Sequence, residues 1–363
     1  MDKDLAIYIH WPFCKSKCPY CDFYKEVRKD VNQDEIIDEY LENLKYYYDL
    51  TSERSIKSIF FGGGTPSLML PENVAKIIDF ISAHWHISPK IEISLEANPN
   101  SDYDNMFNGL KLAGINRLSL GVQALNENDL RFLGRTHTLE QARNCLKKIV
   151  DIFDNHSADL IYSRPMQTLE NWETELKKIC SYGLKHISLY QLTIEENTVF
   201  ARKGIKPLDD EEATQMYDFT SDFLATKGYN RYEVSNFALE GYESRHNLTY
   251  WTGGDYLGIG KSAHGRLCLN NRFFATVYPK QHELLTPEER AEELIIMGLR
   301  LTQGIDMIRF EQICGISFEN FVNVKNLQNL ITNGFLIKNN NFIHASNKGF
   351  SVLNELIRQL CDN

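Results

Sequence analysis

Short apolar strands alternate with longer amphipathic segments through the first two-thirds of this chain, and the alternation restricts its fold more than any other feature. The predicted strands lie at 6–10, 58–61, 91–96, 117–122, 158–162 and 186–192. Helical periodicity falls near 32–50, 72–84, 102–113, 139–153, 169–182 and 210–227. This rhythm is typical of a parallel sheet with helical crossovers. We predict an α/β fold and favour a partial (β/α)6 TIM-like barrel over an open doubly wound sheet, because distinctive polar residues follow several strand ends.

The pattern changes near residue 235. A glycine-rich stretch at 251–266 has no clear helical period, and helical segments follow near 287–302, 317–332 and 347–361. A run at 334–346 carries turn-forming asparagines at its centre and predicts a β-hairpin. We therefore predict two domains, which the length of 363 residues allows. They are a barrel over residues 1–235 and a small C-terminal helical domain, containing the hairpin, over residues 236–363.

Composition argues against several classes of protein. Hydrophobic residues make up 43% of the chain and charged residues 24%, as in ordinary soluble globular proteins. The net charge of −10 argues against a broad nucleic-acid-binding surface, so we expect no nucleic-acid partner. No signal peptide or membrane span is visible, and we expect a cytoplasmic protein. Peripheral contact with a membrane and formation of a homodimer stay open.

Three of the eight cysteines, Cys14, Cys18 and Cys21, form a C-x3-C-x2-C motif. Three thiolates can hold three irons of a [4Fe–4S] cluster and leave the fourth iron open to a small molecule, whereas an electron-transfer cluster usually has four cysteines. In radical chemistry that molecule is S-adenosylmethionine (SAM). A zinc site with His10 as a further ligand is the alternative. The remaining cysteines show no disulfide-like pattern, which agrees with a reducing compartment.

Three glycines and a threonine follow the second predicted strand, in the run FFGGGTPS (60–67). Glycines let backbone N–H groups approach a ligand closely. An ordinary tight turn is the alternative for the glycines alone. The cysteine motif upstream favours a ligand-binding loop.

Several motifs together resemble the radical-SAM family of oxygen-independent coproporphyrinogen oxidases and their heme-chaperone relatives. They are the cysteine triplet, GGGTP, LEANP (95–99), RLSLGVQALNENDLRFLGRTH (117–137), DLIYSRPMQT (159–168), YEVSNFA (232–238) and ESRHNLTYWTGGDYLGIGKSAHGR (243–266). The resemblance covers nearly the whole chain. It implies a partial (β/α)6 barrel followed by a small C-terminal domain, with the three cysteines as ligands of a [4Fe–4S] cluster.

The resemblance also implies which residues contact SAM. They are the aromatic residues Tyr8 and Tyr20, the backbone cradle Gly63, Gly64 and Thr65, and the polar side chains Glu96, Gln123, Arg135 and Asp159. The last three match contacts either to SAM or to a second ligand of its size. Carboxylates, an amide and backbone donors suit a ligand with a sulfonium, an amino acid and a ribose diol. For each polar residue alone, a helix cap, a surface ion pair or a solvated side chain is the alternative. We assign no catalytic residue.

Two departures separate this chain from the oxidases of the family. The oxidases have a fourth cysteine where this chain has Phe23, and a longer segment ahead of the cluster than the 13 residues before Cys14. Both departures match the HemW-type heme chaperones. The segment from His246 to Trp251, HNLTYW, is similar to the HNxxYW heme-binding signature of that branch.

The chemistry of the HNLTYW segment suits heme. An imidazole such as that of His246 is a good axial ligand for heme iron. Tyr250 and Trp251 offer flat aromatic surfaces to a porphyrin, and Arg245 is close enough in sequence to pair with a propionate. A core or interface position for His246, with Trp251 in packing, is the alternative.

We therefore expect a heme chaperone that binds heme, a [4Fe–4S] cluster and SAM, and that delivers heme to acceptor proteins such as respiratory cytochromes. The main alternative is an oxygen-independent coproporphyrinogen III oxidase of heme biosynthesis, an activity that we do not expect here. A tRNA-modifying radical-SAM enzyme fits poorly, because the chain is acidic and shows no appended RNA-binding module.

Two further segments depart from the family pattern. The usual GLPGQT-type loop reads SRPMQT over 163–168, and Arg164 and Met166 put its geometry in doubt. The GIGKSAH run (258–264) carries Lys261 and Ser262 where a small proline-and-glycine pair is common.

Overall fold

The computed structural model describes residues 3–28, 30–99 and 103–362. Its strands are β1 (Asp4–Trp11), β2 (Phe13–Cys14), β3 (Glu26–Val27), β4 (Ser55–Gly63), β5 (His86–Ala97), β6 (Arg117–Gln123), β7 (Asn155–Tyr162), β8 (His186–Gln191), β9 (Asn230–Arg231), β10 (Asn236–Ala238), β11 (Tyr256–Ile259), β12 (His264–Leu269), β13 (Arg272–Val277), β14 (Gln281–Leu284), β15 (Ile305–Asp306), β16 (Leu336–Asn339) and β17 (Phe342–Ala345).

The helices are α1 (Gln33–Thr51), α2 (Pro71–His84), α3 (Tyr103–Leu112), α4 (Glu127–Phe132), α5 (Leu139–Ile152), α6 (Leu169–Cys180), α7 (Val199–Arg202), α8 (Asp210–Ala225), α9 (Arg245–Trp251), α10 (Pro287–Gly298), α11 (Met307–Cys314), α12 (Phe318–Phe321), α13 (Val324–Thr332), α14 (Asn347–Phe350) and α15 (Leu353–Cys361), with a 3₁₀ turn at Pro66–Leu68. None of the helices that the structure describes is both long and apolar enough to cross a membrane.

One mixed sheet of twelve strands carries the fold, in the order β14-β13-β12-β11-β1-β4-β5-β6-β7-β8-β10-β9. The six predicted strands correspond to β1 and β4 to β8, and they lie side by side and parallel. Within the described residues the end strands β14 and β9 do not pair with each other, so the barrel is open. The predicted partial barrel is confirmed.

The crossover helices form where apolar residues recur at helical spacing behind an N-terminal cap. Helix α5 shows the pattern clearly. Thr138 and Gln141 form a reciprocal capping box, and Ala142, Cys145 and Ile149 are buried on one face. That face packs against the sheet, so that the barrel wall is closed to water from outside.

A second hydrophobic core lies in the C-terminal part. Helices α10 to α15 enclose it together with the small sheet β15-β17-β16. Phe310 and Phe318 meet there edge to face, with their ring centroids 5.4 Å apart. The predicted hairpin is present as β16 and β17, whose turn includes Asn340 at a φ of 48°.

The strands between residues 236 and 284 belong to the main sheet. Strand β11 pairs in parallel with β1, and β12 to β14 extend the same sheet in antiparallel fashion. The predicted boundary at residue 235 therefore falls within the sheet. As a proposal for the domain division, hydrophobic packing favours a boundary near residue 285, after which the second core begins.

Candidate functional site

The three cysteines lie just past the carboxyl end of β1. Strand β2 places Cys14, whose side chain is buried, and the following loop carries Cys18 and Cys21, both half-buried. The short strand β3 pairs with β2, with Cys14 opposite Val27. The loop is thus closed at its base and presents all three thiols to one cavity of about 580 Å³.

This cavity opens at the carboxyl ends of the parallel strands, where sites form in α/β folds. It brings together most of the residues that the sequence predicts for the site. The predicted residues that line it are Cys14, Cys18, Tyr20, Cys21, Gly63, Gly64, Thr65, Glu96, Gln123, Arg135 and Asp159. Tyr8 and His246 do not line it.

The glycine loop after β4 packs tightly against the cysteine-bearing segment. Gly63 has a φ of 108°, and a Cβ built on it would lie 2.6 Å from the ring of His10. A Cβ on Gly64 would lie 2.8 Å from the carbonyl oxygen of Phe13. A side chain at either position would therefore push the two segments apart. Next to them, Thr65 donates a hydrogen bond from Oγ1 to the Cys14 sulfur at 3.4 Å.

Arg135 joins the cysteine loop to the end of β6. Its guanidinium lies 3.5 Å from both the Cys18 sulfur and the Tyr20 hydroxyl, and it donates to the carbonyl oxygen of Gly121 at 2.9 Å. It also bonds the Asn98 side chain, which in turn donates to Thr65 at 3.2 Å. Hydrogen bonds to sulfur suit thiolate ligands of a cluster and tune their electronic properties.

Two carboxyl groups face the cavity from neighbouring parts of the sheet. Burial raises the pKa of Glu96 to about 8, and the nearby Asp159 carboxylate contributes to the rise. Burial also raises the pKa of Asp159, although Ser119 donates a hydrogen bond to it at 3.0 Å. Without a ligand, this carboxyl pair is partly protonated. A cationic ligand bound beside it would favour the ionised forms of the two carboxyl groups.

Tyr8 lies beside His10 and is not among the residues that line the cavity. Its hydroxyl is 2.9 Å from Nδ1 of His10, while Nε2 of His10 is 3.3 Å from the carbonyl oxygen of Tyr24. Both ring nitrogens of His10 therefore have partners, and His10 does not offer a further zinc ligand in this arrangement. Among the described residues, no group of three or more His, Cys, Asp or Glu side chains could hold a single metal ion. A [4Fe–4S] cluster makes a different demand, since it needs one thiolate per iron.

His246 lies in the interior of the barrel, on helix α9. Its side chain has no exposure to solvent. Nδ1 is 2.9 Å from the Ser58 hydroxyl, Nε2 is 2.5 Å from the Tyr250 hydroxyl, and the backbone N–H donates to Glu92 at 3.1 Å. Burial lowers the pKa of His246 to about 3, so the imidazole is neutral. The predicted heme ligand therefore sits with both nitrogens engaged, apart from the cavity.

Trp251, at the end of the same helix, faces a second and smaller cavity. This cavity of about 200 Å³ lies between α9 and the C-terminal helices, and residues such as Leu294 and Phe310 line it. The indole N–H of Trp251 has no hydrogen-bond partner among the residues that the structure describes, and the Arg300 guanidinium lies over its ring at 5.1 Å.

Asn98 and His137 are among the residues of the main cavity that the sequence analysis missed. Asn98 bridges Thr65 and Arg135, and His137 lines the wall with a pKa lowered to about 4 by burial and by Arg135. Both lie within segments that carry the family resemblance, LEANP and GRTH, which is the only signal that could have indicated them.

The SRPMQT loop has a geometry that its residue types did not predict. Ser163 and Met166 adopt left-handed backbone conformations with φ of 54° and 63°. Arg164 is buried, pairs with Glu175 and lies 2.9 Å from Asp129. The loop is therefore anchored by a buried ion pair, while Met166 stays 91% exposed.

The main cavity lies at the carboxyl ends of a partial parallel barrel, with three cysteines at its edge and a glycine loop packed beside them. The arrangement defines the radical-SAM class of proteins. Comparison with known proteins agrees. The sequence model of the Radical SAM superfamily matches residues 8–179, and that of the HemN C-terminal domain matches residues 285–352.

Curated relatives match almost from end to end. Heme chaperone HemW of Buchnera aphidicola (subsp. Schizaphis graminum) is 35% identical, over 99% of this chain and 98% of that protein. Heme chaperone HemW of Lactococcus lactis is 33% identical, with coverage of 99% and 98%. A mitochondrial radical S-adenosyl methionine domain-containing protein 1 of Mus musculus is 33% identical, over 98% of this chain and 87% of that protein.

Among solved structures, coproporphyrinogen III oxidase (HemN) of Escherichia coli superposes with a TM-score of 0.83. It is 21% identical in sequence, and the match covers 99% of this chain and 91% of that one, which establishes a shared fold. The chain thus belongs to the HemW heme-chaperone family of the radical-SAM superfamily. Membership of this superfamily implies a [4Fe–4S] cluster and SAM.

Proposed function

We propose that this protein is a heme chaperone that carries a [4Fe–4S] cluster and SAM and delivers heme to acceptor proteins. The similarity to proteins named heme chaperone HemW over 99% of the chain carries this proposal. Phe23 supports it, because the oxidase branch that the sequence resembles has a cysteine at that position.

The main cavity suits the cluster and SAM. Cys14, Cys18 and Cys21 would hold three irons, and when bound such a cluster offers its open iron to the amino and carboxylate groups of SAM. The backbone of Gly63 and Gly64 would approach the amino acid part of the ligand. Glu96 and Asp159 would place negative charge near its cationic groups, and Arg135 would keep the Cys18 sulfur in position.

The heme site involves helix α9. His246 can reach a heme iron only if it gives up its bond to Ser58 or to Tyr250, because each nitrogen has one of these partners. Because the imidazole is also fully buried, binding at His246 requires a rearrangement around α9 that exposes it. Trp251 already borders an accessible apolar cavity and offers a flat surface for the porphyrin.

Two assays in parallel test the function. Anaerobically reconstituted protein should bind heme stoichiometrically and transfer it to an apo-cytochrome. It should not convert coproporphyrinogen III to protoporphyrinogen IX with SAM and a reductant. Turnover at an enzymatic rate, or rescue of a strain that lacks the oxidase, would assign the chain to the oxidase function instead.

Variants of the HNLTYW segment test the heme residues. His246→Ala should shift or abolish the Soret band of the heme-loaded protein, whereas Trp251→Ala should weaken binding and leave the ligand set unchanged. Tyr242→Phe, on the same connection but outside the segment, serves as the control. Unaltered spectra and affinity in both variants would leave the segment with a purely structural role at the domain junction.

A further inference from the structure

Lys261 departs from the family pattern, and the structure gives it a specific partner. It follows β11, in the loop that packs directly on β1, where a Cβ built on Gly260 would lie 2.3 Å from the carbonyl oxygen of His10. From there its ammonium reaches Glu26 at 2.8 Å, although 235 residues separate the two in sequence.

Glu26 lies at the end of the loop that carries Cys18 and Cys21. It belongs to β3, opposite Phe13 of β2, and its backbone N–H donates to the carbonyl oxygen of Pro12 at 2.7 Å. One residue earlier, Lys25 donates from its ammonium to the carbonyl oxygen of Cys21 at 2.7 Å. The position of Glu26 therefore fixes where the loop that carries Cys18 and Cys21 returns to the barrel.

Three side chains converge on the Glu26 carboxylate. The Tyr24 hydroxyl donates at 2.6 Å, the Arg28 guanidinium lies at 2.6 Å, and the Lys261 ammonium lies at 2.8 Å. The ammonium of Lys261 is also 5.1 Å from the centre of the Tyr24 ring. These donors, with Lys261 first, hold the pKa of Glu26 at about 2. We call this group of Tyr24, Glu26, Arg28 and Lys261 the clasp.

We propose that Glu26 is a positioning residue for the iron–sulfur cluster, and that Lys261, through the clasp, ties the exit of the cysteine loop to the barrel wall. A cluster needs three thiolates held in one place, and closing a flexible loop costs conformational entropy each time the sulfurs are brought together. The clasp holds the loop in place before the cluster binds, so that the cluster is bound more firmly. This inference rests on the cluster part of the proposed function and is independent of heme.

The expected change in the rate of iron loss depends on how exposed the side chains of the clasp are. The Glu26 side chain is only 18% exposed, but Lys261 is 62% exposed and Arg28 is 60% exposed. Exposed ion pairs stabilise a structure only slightly and are screened by salt. A carboxylate that is bound by several donors at once is held more firmly. We therefore expect roughly two- to fivefold changes in rate, corresponding to the range known for such pairs.

The test is the rate at which a ferrous chelator removes iron from anaerobically reconstituted protein. Glu26→Gln and Lys261→Met should each lose iron about two- to fivefold faster than the parent. Lys261→Arg should keep the parental rate. High salt should speed loss from the parent, have a smaller effect on Lys261→Met, which keeps the Arg28–Glu26 pair, and leave the rate of Glu26→Gln nearly unchanged. The matched control is the Glu319–Lys338 pair, also 2.8 Å apart but far from the cavity, as Glu319→Gln and Lys338→Met.

A second measurement does not need the cluster. In cluster-free protein, alkylation of Cys18 and Cys21 should be faster in Glu26→Gln and Lys261→Met, while alkylation of Cys361 and the melting temperature should stay at parental values. Parental rates of iron loss and alkylation in both variants, or equal acceleration in the control pair, would overturn the proposal. Failure of the parent to take up iron and sulfide would instead count against the cluster in the proposed function, and the alkylation rates would still decide the role of the clasp.

Discussion

At the residue scale, the ionisation of Glu96 should depend on whether a cationic ligand is bound. Its pKa of about 8 means that the carboxyl group is largely protonated at neutral pH in the ligand-free protein. In the unfolded chain the same group ionises near its ordinary pKa of about 4.3. Because the folded state then holds the extra proton, this group lowers the stability of the fold as pH rises from roughly 4.3 to 8.

A cationic ligand reverses this preference, since it favours the ionised carboxylate. We expect SAM affinity to increase from pH 6 to pH 8, by at most about tenfold per pH unit for one released proton. Glu96→Gln should weaken binding and flatten the pH dependence, with the iron content unchanged. Isothermal titration in buffers of different ionisation enthalpy would measure the proton release. A pH-independent affinity in the parent would contradict this role of Glu96.

The cysteines give a second prediction at this scale. Cys14→Ser, Cys18→Ser and Cys21→Ser should each reduce the iron and sulfide bound after anaerobic reconstitution from about four of each per chain to well below half. Cys361→Ser, in the last helix, should leave the content unchanged. Addition of SAM should alter the EPR spectrum of the reduced cluster in the parent. One zinc per chain without sulfide would favour the zinc alternative.

At the scale of elements, the sequence predicted what depends on local pattern. The six parallel strands and the C-terminal hairpin were predicted correctly, because apolar runs and turn residues mark them directly. Helix α9 was missed since it has only seven residues, too few for a helical period to stand out. The extension of the sheet by β11 to β14 was also missed, because the pairing of β11 with β1 joins segments about 250 residues apart and leaves no local signal.

The candidate site was likewise predictable where local motifs indicate it and not where long-range contacts decide it. The motifs indicated eleven residues that line the cavity. Nothing in them indicated that Tyr8, on β1, and His246, on α9, would lie outside its lining. Register and helix orientation decide such positions, and both depend on tertiary contacts.

The SRPMQT loop offers a prediction for one element. Arg164 is only 1% exposed and pairs with the buried Glu175. Removing one partner of a buried ion pair leaves an uncompensated charge, so Arg164→Met should lower the free energy of unfolding by about 3–5 kcal/mol. The double variant Arg164→Met with Glu175→Leu should recover much of this loss. Urea unfolding measures both, and Arg202→Met, on the exposed end of α7, is the control.

At the scale of the whole molecule, helix α9 connects the two candidate sites. His246 holds α9 to β4 through Ser58, and its ring lies 6.3 Å from that of Tyr8. Tyr8 is in turn close enough to Glu96 for that carboxyl to raise the pKa of the phenol, after burial as the larger cause. A series of neighbouring side chains thus runs from the HNLTYW segment to the main cavity.

If heme binding draws α9 out of the barrel, it loosens the packing behind the SAM cavity. We therefore expect heme to lower the affinity for SAM, and SAM to lower the affinity for heme by the same factor, because coupling between two binding sites is reciprocal. A factor of about five or more is typical of such coupling. Ser58→Ala removes one bond that holds His246, so it should raise heme affinity and reduce the coupling, whereas Ser221→Ala on α8 should change neither. Titration of each ligand at saturating and zero concentrations of the other measures the factor. Equal affinities in the presence and absence of the second ligand would mean that heme binding leaves α9 in the barrel, and would contradict this coupling.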